Sequence, residues 1–298
     1  MISCGEFEVV AIASRSQQKA DESAKMFNIE GIGSYDDLLL LNDIDAVYIP
    51  LPTGMHHEWI LKSLNAGKHV FSEKSFTQNI EETKEIIELA KSKELCVFEN
   101  FMFPYHSQFE KVFELIEKGA IGELRVLRSS FGFPPFDVES NIRYKEDLGG
   151  GALLDAGAYT LMAAQLFLGK NLEILSSDLN EWGREVDFHG AIMLKNAEGV
   201  IGQLAFGFEN FYQNNIELWG TEGKITVNRA FTAAPGFEPF ITLEQQGVDE
   251  TIKLAADNHY EKILLSFAEA IHSKNFSKQF DQILNQSKLI SDVQSRNN

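Results

Sequence analysis

Three reactive side chains stand at positions where they could take part in one reaction. Lys74 ends the run Val70-Phe71-Ser72-Glu73-Lys74, in which a predicted strand gives way to polar residues. Asp155 and Tyr159 follow three consecutive glycines and are four residues apart, which places them on one face of a helix. An ammonium group can polarise a carbonyl oxygen, and beside a phenol it lowers the phenol pKa, so this trio could move a proton to or from a carbonyl or hydroxyl oxygen.

Each feature alone also has an ordinary structural explanation. A Glu-Lys pair such as Glu73 and Lys74 is usually a solvated ion pair on the surface. Asp155 could face solvent in the middle of a helix, and Tyr159 could be a ring in the core. The small residues around them favour a helix face that is kept open for a ligand: Ala152, Ala156, Gly157 and Ala158.

The first hundred residues alternate short apolar runs with helical patterns. Strands are predicted at 7–13, 46–49, 69–71 and 96–98, and helices at 17–27, 56–66 and 80–93. This alternation predicts an α/β fold, with a parallel Rossmann-like sheet and right-handed crossovers. Lys74 then lies at the carboxyl edge of the sheet, where open α/β folds bind their ligands.

The second part of the chain has a different pattern. After a helix at 105–118, strands are predicted at 123–133, 172–179, 187–194, 200–208, 215–219, 224–227 and 240–244, with one helix at 150–168 and two more at about 260–272 and 278–293. The pattern predicts an α+β domain with a large, mostly antiparallel sheet. We therefore expect a nucleotide-binding domain at 1–101 and a substrate-binding and dimerisation domain at 102–298, with C-terminal helices at about 260–293.

Composition narrows the possible partners and the compartment. The net charge of −18 disfavours nucleic acid and anionic membrane surfaces. Apolar stretches such as 163–168 fall short of the roughly 20 residues that a membrane span needs. Cys4 and Cys96 adjoin apolar runs and predict reduced, packed thiols in a cytoplasmic protein, and we expect no metal site because neither has a second Cys or a His at ligand spacing.

Taken together, the motifs resemble the Gfo/Idh/MocA family, which includes glucose-fructose oxidoreductase and inositol dehydrogenase. The resemblance rests on Glu73-Lys74 after a strand, on Gly-Gly-Gly-x-x-x-Asp-x-Gly-x-Tyr at 149–159, and on Glu123-Leu124-Arg125. It runs from about Phe7 to the C-terminus. The family's Glu-Lys-Pro motif falls on Glu73-Lys74-Ser75, so serine replaces proline. A tyrosine at 159 resembles the branch with glucose-fructose oxidoreductase, dihydrodiol dehydrogenases and nucleotide-sugar 3-ketoreductases.

The resemblance implies an oxidoreductase that moves a hydride between a nicotinamide and a carbonyl or hydroxyl carbon of a sugar, nucleotide-sugar or cyclic diol. Lys74 would polarise the carbonyl and lower the pKa of Tyr159, Tyr159 would exchange the proton, and Asp155 would orient a substrate hydroxyl. Arg143 lies in a segment that resembles the family's Asn-x-Arg segment near the substrate, although a plain loop arginine fits as well.

The candidate cofactor-binding residues share a place at predicted strand ends. Arg15 and the absence of an acid at 13–16 favour NADP over NAD, because an arginine accommodates the 2′-phosphate whereas an acid binds the free ribose hydroxyl. The Pro-rich loop at residues 50–53 could equally be a structural turn, and His56 could simply begin a helix. The full set is Ser14, Arg15, Pro50, Leu51, Pro52, Thr53, His56, Glu73, Lys74 and Asn100.

No Gly-x-Gly-x-x-Gly stands before the first predicted helix. A dinucleotide-binding domain normally opens with a strand, a glycine-rich turn and a helix that hold the pyrophosphate. We therefore expect a Rossmann-like sheet that is incomplete at its start. Two functions stay open: an NADP-dependent oxidoreductase, or a truncated, inactive family member that binds a ligand or oligomerises. By resemblance, we also expect a homodimer or a dimer of dimers.

Overall fold

Short parallel strands and helices alternate through the first hundred residues, as the pattern predicts. The structure, a computed structural model, describes residues 4–297. Its first elements are β1 (Ala11–Ala13), α1 (Gln17–Lys25), β2 (Glu30–Ile32), α2 (Tyr35–Leu39), β3 (Ala46–Ile49), α3 (His56–Asn65), β4 (His69–Ser72), α4 (Ile80–Lys93) and β5 (Val97–Glu99). β1 pairs with β2, and β3, β4 and β5 form a second sheet in that order, with every pair parallel.

Local signals explain most of these boundaries. Ser16, Ser34 and Asn79 cap α1, α2 and α4, and in each case the side-chain oxygen accepts a hydrogen bond from a backbone amide three residues later. The strand predicted at 7–13 is wrong in extent, since only Ala11–Ala13 is extended and paired. Sequence reasoning missed β2 and α2, because elements of three and five residues are too short to show a period.

One large sheet dominates the rest of the chain. The elements are α5 (Ser107–Glu117), β6 (Leu124–Gly132), α6 (Ala158–Leu168), β7 (Glu173–Asn180), β8 (His189–Lys195), β9 (Ile201–Gly207), β10 (Gln213–Gly220), β11 (Gly223–Asn228), β12 (Phe240–Gln245), β13 (Val248–Lys253), α7 (His259–Ser273) and α8 (Ser277–Gln294). The strand order is β13-β12-β11-β10-β6-β9-β8-β7, and only β6 and β9 run parallel. The sequence missed β13, whose residues are mostly charged or polar.

One face of this sheet packs against α6. In β9, Leu204 and Phe206 are buried while Gln203 and Ala205 are exposed, the alternation typical of a sheet with one covered face. Within Glu146–Leu168, a stretch of 18 residues has a mean hydropathy of 1.3, which is apolar enough to cross a membrane. However, 78% of that stretch is buried inside the protein. It is therefore a core helix, since its apolar residues are covered by the protein itself.

The C-terminal helices join the two halves of the molecule. Phe267 on α7 packs against Phe71 and Phe98 of the parallel sheet, with ring centroids 5.2 and 5.7 Å apart. On α8, the Ser287 hydroxyl lies 2.7 Å from that of Thr83 on α4, and other α8 residues contact α6. Residues assigned by sequence to the second domain thus cover the sheet of the first. The boundary between 101 and 102 remains a prediction.

Candidate active site

A buried carboxylate joins the two halves at the predicted site. Lys74 follows β4, and its Nζ donates to Asp155 Oδ1 at 2.5 Å and to the Asp155 carbonyl at 2.9 Å. Arg143 Nε donates to Asp155 Oδ2 at 2.5 Å. Burial alone would raise the pKa of Asp155, but the charges of Lys74 and Arg143 outweigh it and hold the pKa below its usual range. The structure therefore brings together three of the four predicted substrate-binding residues in one ion-paired cluster.

Tyr159, the fourth, lies beside this cluster with its ring in an aromatic cage. Its ring centroid is 5.1 Å from that of Phe131 and 5.5 Å from those of Phe101 and Phe231. Lys74 Nζ is 5.1 Å from the centre of the tyrosine ring. Among residues 4–297 the phenol oxygen has no hydrogen-bond partner, so it is available to a substrate.

The prediction that the pKa of Tyr159 is lowered is wrong for this arrangement. Burial, followed by the negative charges of Asp155 and Glu73, raises the pKa of Tyr159 well above its usual value. The ammonium of Lys74 is paired with Asp155 and is not among the main causes that set the pKa of Tyr159. The phenol is therefore protonated at neutral pH and suited to donate a proton.

The turn that carries Lys74 is held by its neighbours. Glu73 Oε1 accepts hydrogen bonds from Tyr48 Oη at 2.6 Å and from Asn100 Nδ2 at 2.7 Å. Ser75, in the position of the family's proline, donates its hydroxyl to the Leu154 carbonyl at 2.8 Å. Glu73 and Asn100 thus lie together at the carboxyl ends of β4 and β5.

Glu99 also supports this turn, although no motif in the sequence pointed to it. Its Oε1 accepts the backbone amide of Phe76 at 2.9 Å, while its Oε2 is buried without a partner among the described residues. Burial raises the pKa of Glu99 to about 8, although the Phe76 amide and Lys74 act against this. A carboxyl group at the end of a buried strand cannot be told from an ordinary loop acid until the fold is known.

His56 was predicted to contact the cofactor, but in the structure its ring contacts the backbone. The side chain is fully buried at the start of α3. Its Nε2 lies 2.7 Å from the Leu51 carbonyl and its Nδ1 lies 2.9 Å from that of Ser75. Both ring nitrogens therefore face backbone, and His56 connects the Pro-rich loop to the Lys74 turn.

The three glycines at 149–151 allow three separate close approaches. A Cβ at Gly149 would lie 2.7 Å from the Gly54 amide, and one at Gly150 would lie 2.8 Å from the Lys145 carbonyl. A Cβ at Gly151 would overlap the carboxylate of Asp187. The glycine turn thus packs tightly against the Pro-rich loop, because Gly149 lets the two backbones approach each other closely.

The remaining cofactor candidates lie at the carboxyl ends of parallel strands. Ser14 and Arg15 follow β1, and the segment from Pro50 to Thr53 follows β3. Arg15 is exposed, and within residues 4–297 it makes no ion pair, so its guanidinium is available to a phosphate. These residues fit a bound NADP. Among the described residues no cluster of three His, Cys, Asp or Glu side chains could hold a metal ion.

A two-part α/β architecture with a lysine, an aspartate and a tyrosine at the sheet edge defines a class of nicotinamide-dependent oxidoreductase. Residues 1–101 match the oxidoreductase family with an NAD-binding Rossmann fold, and residues 109–226 match the Gfo/Idh/MocA C-terminal domain. The chain belongs to the Gfo/Idh/MocA family.

Relatives agree with this assignment in sequence and in structure. The dTDP-3,4-didehydro-2,6-dideoxy-alpha-D-glucose 3-reductase of Saccharopolyspora spinosa is 41% identical over 92% of this chain and 82% of its own length. The D-xylose 1-dehydrogenase (NADP(+)) 2 of Haloferax volcanii is 29% identical over 91% of this chain and 84% of its own. The crystal structure of KijD10, a 3-ketoreductase from Actinomadura kijaniata in complex with NADP and TDP-benzene, superposes with a TM-score of 0.94 at 38% identity, covering 97% of this chain and 90% of that one.

The predictions of family and fold class are confirmed by these comparisons. The prediction of an NAD(P)-dependent oxidoreductase is confirmed as well. An inactive ligand-binding or oligomerising module is not favoured, since the relatives described above are reductases and dehydrogenases by name.

Replacing Glu99 by Gln tests the buried carboxyl group. Its native pKa of about 8 exceeds the ordinary value of 4.5, so between these values the native state keeps a proton that the unfolded chain releases, and stability falls as pH rises. We expect Glu99→Gln to gain stability relative to wild type from pH 5 to pH 8, by up to roughly 1.4 kcal/mol per pH unit. Urea unfolding at several pH values measures this, with exposed Glu88→Gln as control; parallel curves for wild type and Glu99→Gln would contradict the assignment.

Proposed function

We propose that this chain is an NADP-dependent reductase of a keto sugar, with a nucleotide-linked sugar as the favoured substrate class. The observation that carries the proposal is the contact of the Lys74 ammonium with Asp155 beside the free phenol of Tyr159. It is supported by the 41% identity to a dTDP-sugar 3-reductase and by the likeness to a 3-ketoreductase that binds NADP and TDP-benzene. A cyclic diol or a free sugar is the less favoured substrate.

Residues of the carboxyl edge would hold the cofactor. Ser14 and Arg15 would take the adenosine 2′-phosphate, because a guanidinium binds phosphate through two parallel hydrogen bonds. The segment 50–53 and the pair Glu73 and Asn100 would line the rest of the binding edge. When bound, the nicotinamide supplies the hydride that adds to the carbonyl carbon.

Tyr159 and Lys74 would act together on the substrate oxygen. Lys74 Nζ donates a hydrogen bond to the carbonyl oxygen and so favours negative charge on it. As the hydride reaches the carbon, Tyr159 transfers its phenolic proton to that oxygen, the carbonyl becomes a hydroxyl, and the phenolate then regains a proton from solvent. The raised pKa of Tyr159 suits this direction, because the phenol enters the reaction protonated.

Asp155 and Arg143 would set the geometry of this pair. The carboxylate fixes the Lys74 ammonium, and a substrate hydroxyl can join the same hydrogen-bond network. The guanidinium of Arg143 also lies over the ring of Phe136, at 4.8 Å from its centre, and its Nη1 donates to Asn141 Oδ1 at 3.5 Å, which leaves Nη2 for substrate oxygens.

We also propose that the exposed face of the large sheet pairs with a second copy of the chain. Ala191, Met193 and Ala205 are exposed on the neighbouring strands β8 and β9, and Trp219 is 47% exposed on β10 beneath the guanidinium of Arg128. Small and apolar side chains on a broad open sheet are typical of a self-association surface.

The two free, buried cysteines agree with a cytoplasmic location.

Loss of either reactive side chain should abolish most turnover. We expect Tyr159→Phe and Lys74→Ala each to lower kcat by at least about 100-fold, because each removes a proton donor at the reacting oxygen. NADPH oxidation with a dTDP-linked 3-keto sugar measures the rate, and circular dichroism checks the fold. Lys84→Ala, at an exposed position on α4, serves as the control. Wild-type turnover in either site variant removes that residue from the mechanism.

Arg15 should set the preference between the two cofactors. We expect Arg15→Ala to weaken NADPH binding by at least about tenfold and to leave NADH binding within about twofold, since only NADPH carries the 2′-phosphate. Nicotinamide fluorescence titration gives both Kd values, with Lys19→Ala on α1 as the matched control. A lower Kd for NADH than for NADPH in the wild-type protein would overturn the preference.

Self-association can be tested at the centre of the open face. We expect the wild-type protein to sediment as a dimer or a dimer of dimers, and Ala205→Arg to shift it toward the monomer by placing charge in the contact. Analytical ultracentrifugation gives the mass, with Glu88→Arg on the distant helix α4 as control. An Ala205→Arg protein of unchanged oligomeric mass would exclude this face.

A further inference from the structure

The helical segment that carries Asp155 and Tyr159 has no cap of its own. It begins as a π-helical turn at Leu153–Gly157 and continues directly as α6. The residue before it, Ala152, has no side chain that can accept a hydrogen bond. The first amides of a helix need partners from outside, and a buried start without them is costly.

Asp187 supplies these partners from a distant part of the chain. Its carbonyl oxygen accepts the Ala152 amide at 2.8 Å, and its Oδ2 accepts the Leu153 amide at 2.7 Å. Two consecutive amides at the helix start therefore end on one residue, 34 positions beyond Leu153 in sequence. A carboxylate there also interacts favourably with the helix dipole.

Gly151 makes room for this carboxylate. A Cβ at position 151 would overlap Asp187 Oδ1, and the backbone has φ of +110°, which side chains other than glycine rarely adopt. The last of the three glycines therefore serves the contact with Asp187 and not only the turn.

Asp187 is itself fixed to the large sheet. The next residue, Phe188, is fully buried; its amide donates to the Asn180 carbonyl at 2.8 Å, and its carbonyl accepts the Phe208 amide at 2.7 Å. These bonds tie the position of Asp187 to the ends of β7 and β9. The edge of the sheet, and not the helix sequence, thus sets where the helix starts.

We propose that Asp187 is a positioning residue for the reaction, which holds the helix start so that Asp155 and Tyr159 meet Lys74. The proposal rests on the proposed function for its catalytic part. Asp155 lies two residues beyond the capped Leu153, so loosening the first turn displaces the carboxylate that holds Lys74. Displacement of a positioning contact by about 1 Å can cost a rate factor of about 100.

Hydrogen exchange tests the cap without any need for activity. We expect Asp187→Ala to speed amide exchange in a peptide covering 150–160 by roughly 2- to 30-fold, the range that corresponds to losing a helix cap. Asp187→Asn keeps an oxygen acceptor and should restore slow exchange. Glu185→Ala, on the same loop, is exposed and serves as the control.

Turnover then tests the positioning role. With NADPH and the keto sugar, Asp187→Ala should lower kcat by at least about tenfold while the Kd for NADPH stays within about twofold, and Asp187→Asn should recover most of kcat. If Asp187→Ala does not fold, Asp187→Ser, with its shorter reach, replaces it in both measurements against Asp187→Asn.

The outcomes separate the two proposals. If amide exchange at 150–160 is unchanged in Asp187→Ala, Asp187 does not cap the helix. If exchange is faster but kcat stays at the wild-type value, Asp187 has no positioning role in the reaction. An inactive wild-type protein contradicts the proposed function, whereas exchange still decides whether Asp187 holds the helix. The proposal would also be overturned if Asp187→Ala and Glu185→Ala changed amide exchange and kcat equally.

Discussion

The carboxylate of Asp155 is the point on which the geometry of the site depends. It accepts from Lys74 on the parallel sheet and from Arg143 in the second part of the chain, so one residue ties a turn of each to α6. Removing a single partner from a buried ion pair leaves an uncompensated charge and is strongly destabilising. The cluster therefore holds together as a unit, and the free phenol of Tyr159 is the part of it left to react.

The close packing around this cluster comes from contacts that bring backbone against backbone. Gly149 lies against Gly54 without a side chain between them, and His56 bridges the carbonyls of Leu51 and Ser75. Glu99 holds the amide of Phe76 on the other side of the same turn. Lys74 is thus carried by a turn whose peptide groups are fixed from several directions, which limits the motion of its side chain before a substrate binds.

Short motifs pointed to three residues that the structure brings together, because Lys74, Asp155 and Tyr159 each follow a local signal: a strand end or a glycine turn. They do not predict contacts between residues far apart in sequence, so Asp187 and Glu99 were missed. The sign of the Tyr159 pKa shift was also wrong, since it is set first by burial of the ring and then by the charges of Asp155 and Glu73, which are properties of the folded chain. The short element β2 lay below the length at which a period can be recognised.

The position of α8 has a consequence for how the site forms. Its Ser287 meets Thr83 on α4 across 204 residues of sequence, while Gln286 donates to the Ala158 carbonyl at the start of α6. Contacts of such long range require more loop-closure entropy to be overcome than local contacts do. On the ribosome, a chain of this kind has most of its strands before it has the helix that spans them. The packing of α6 against α4 and β5 is thus completed only when α8 docks.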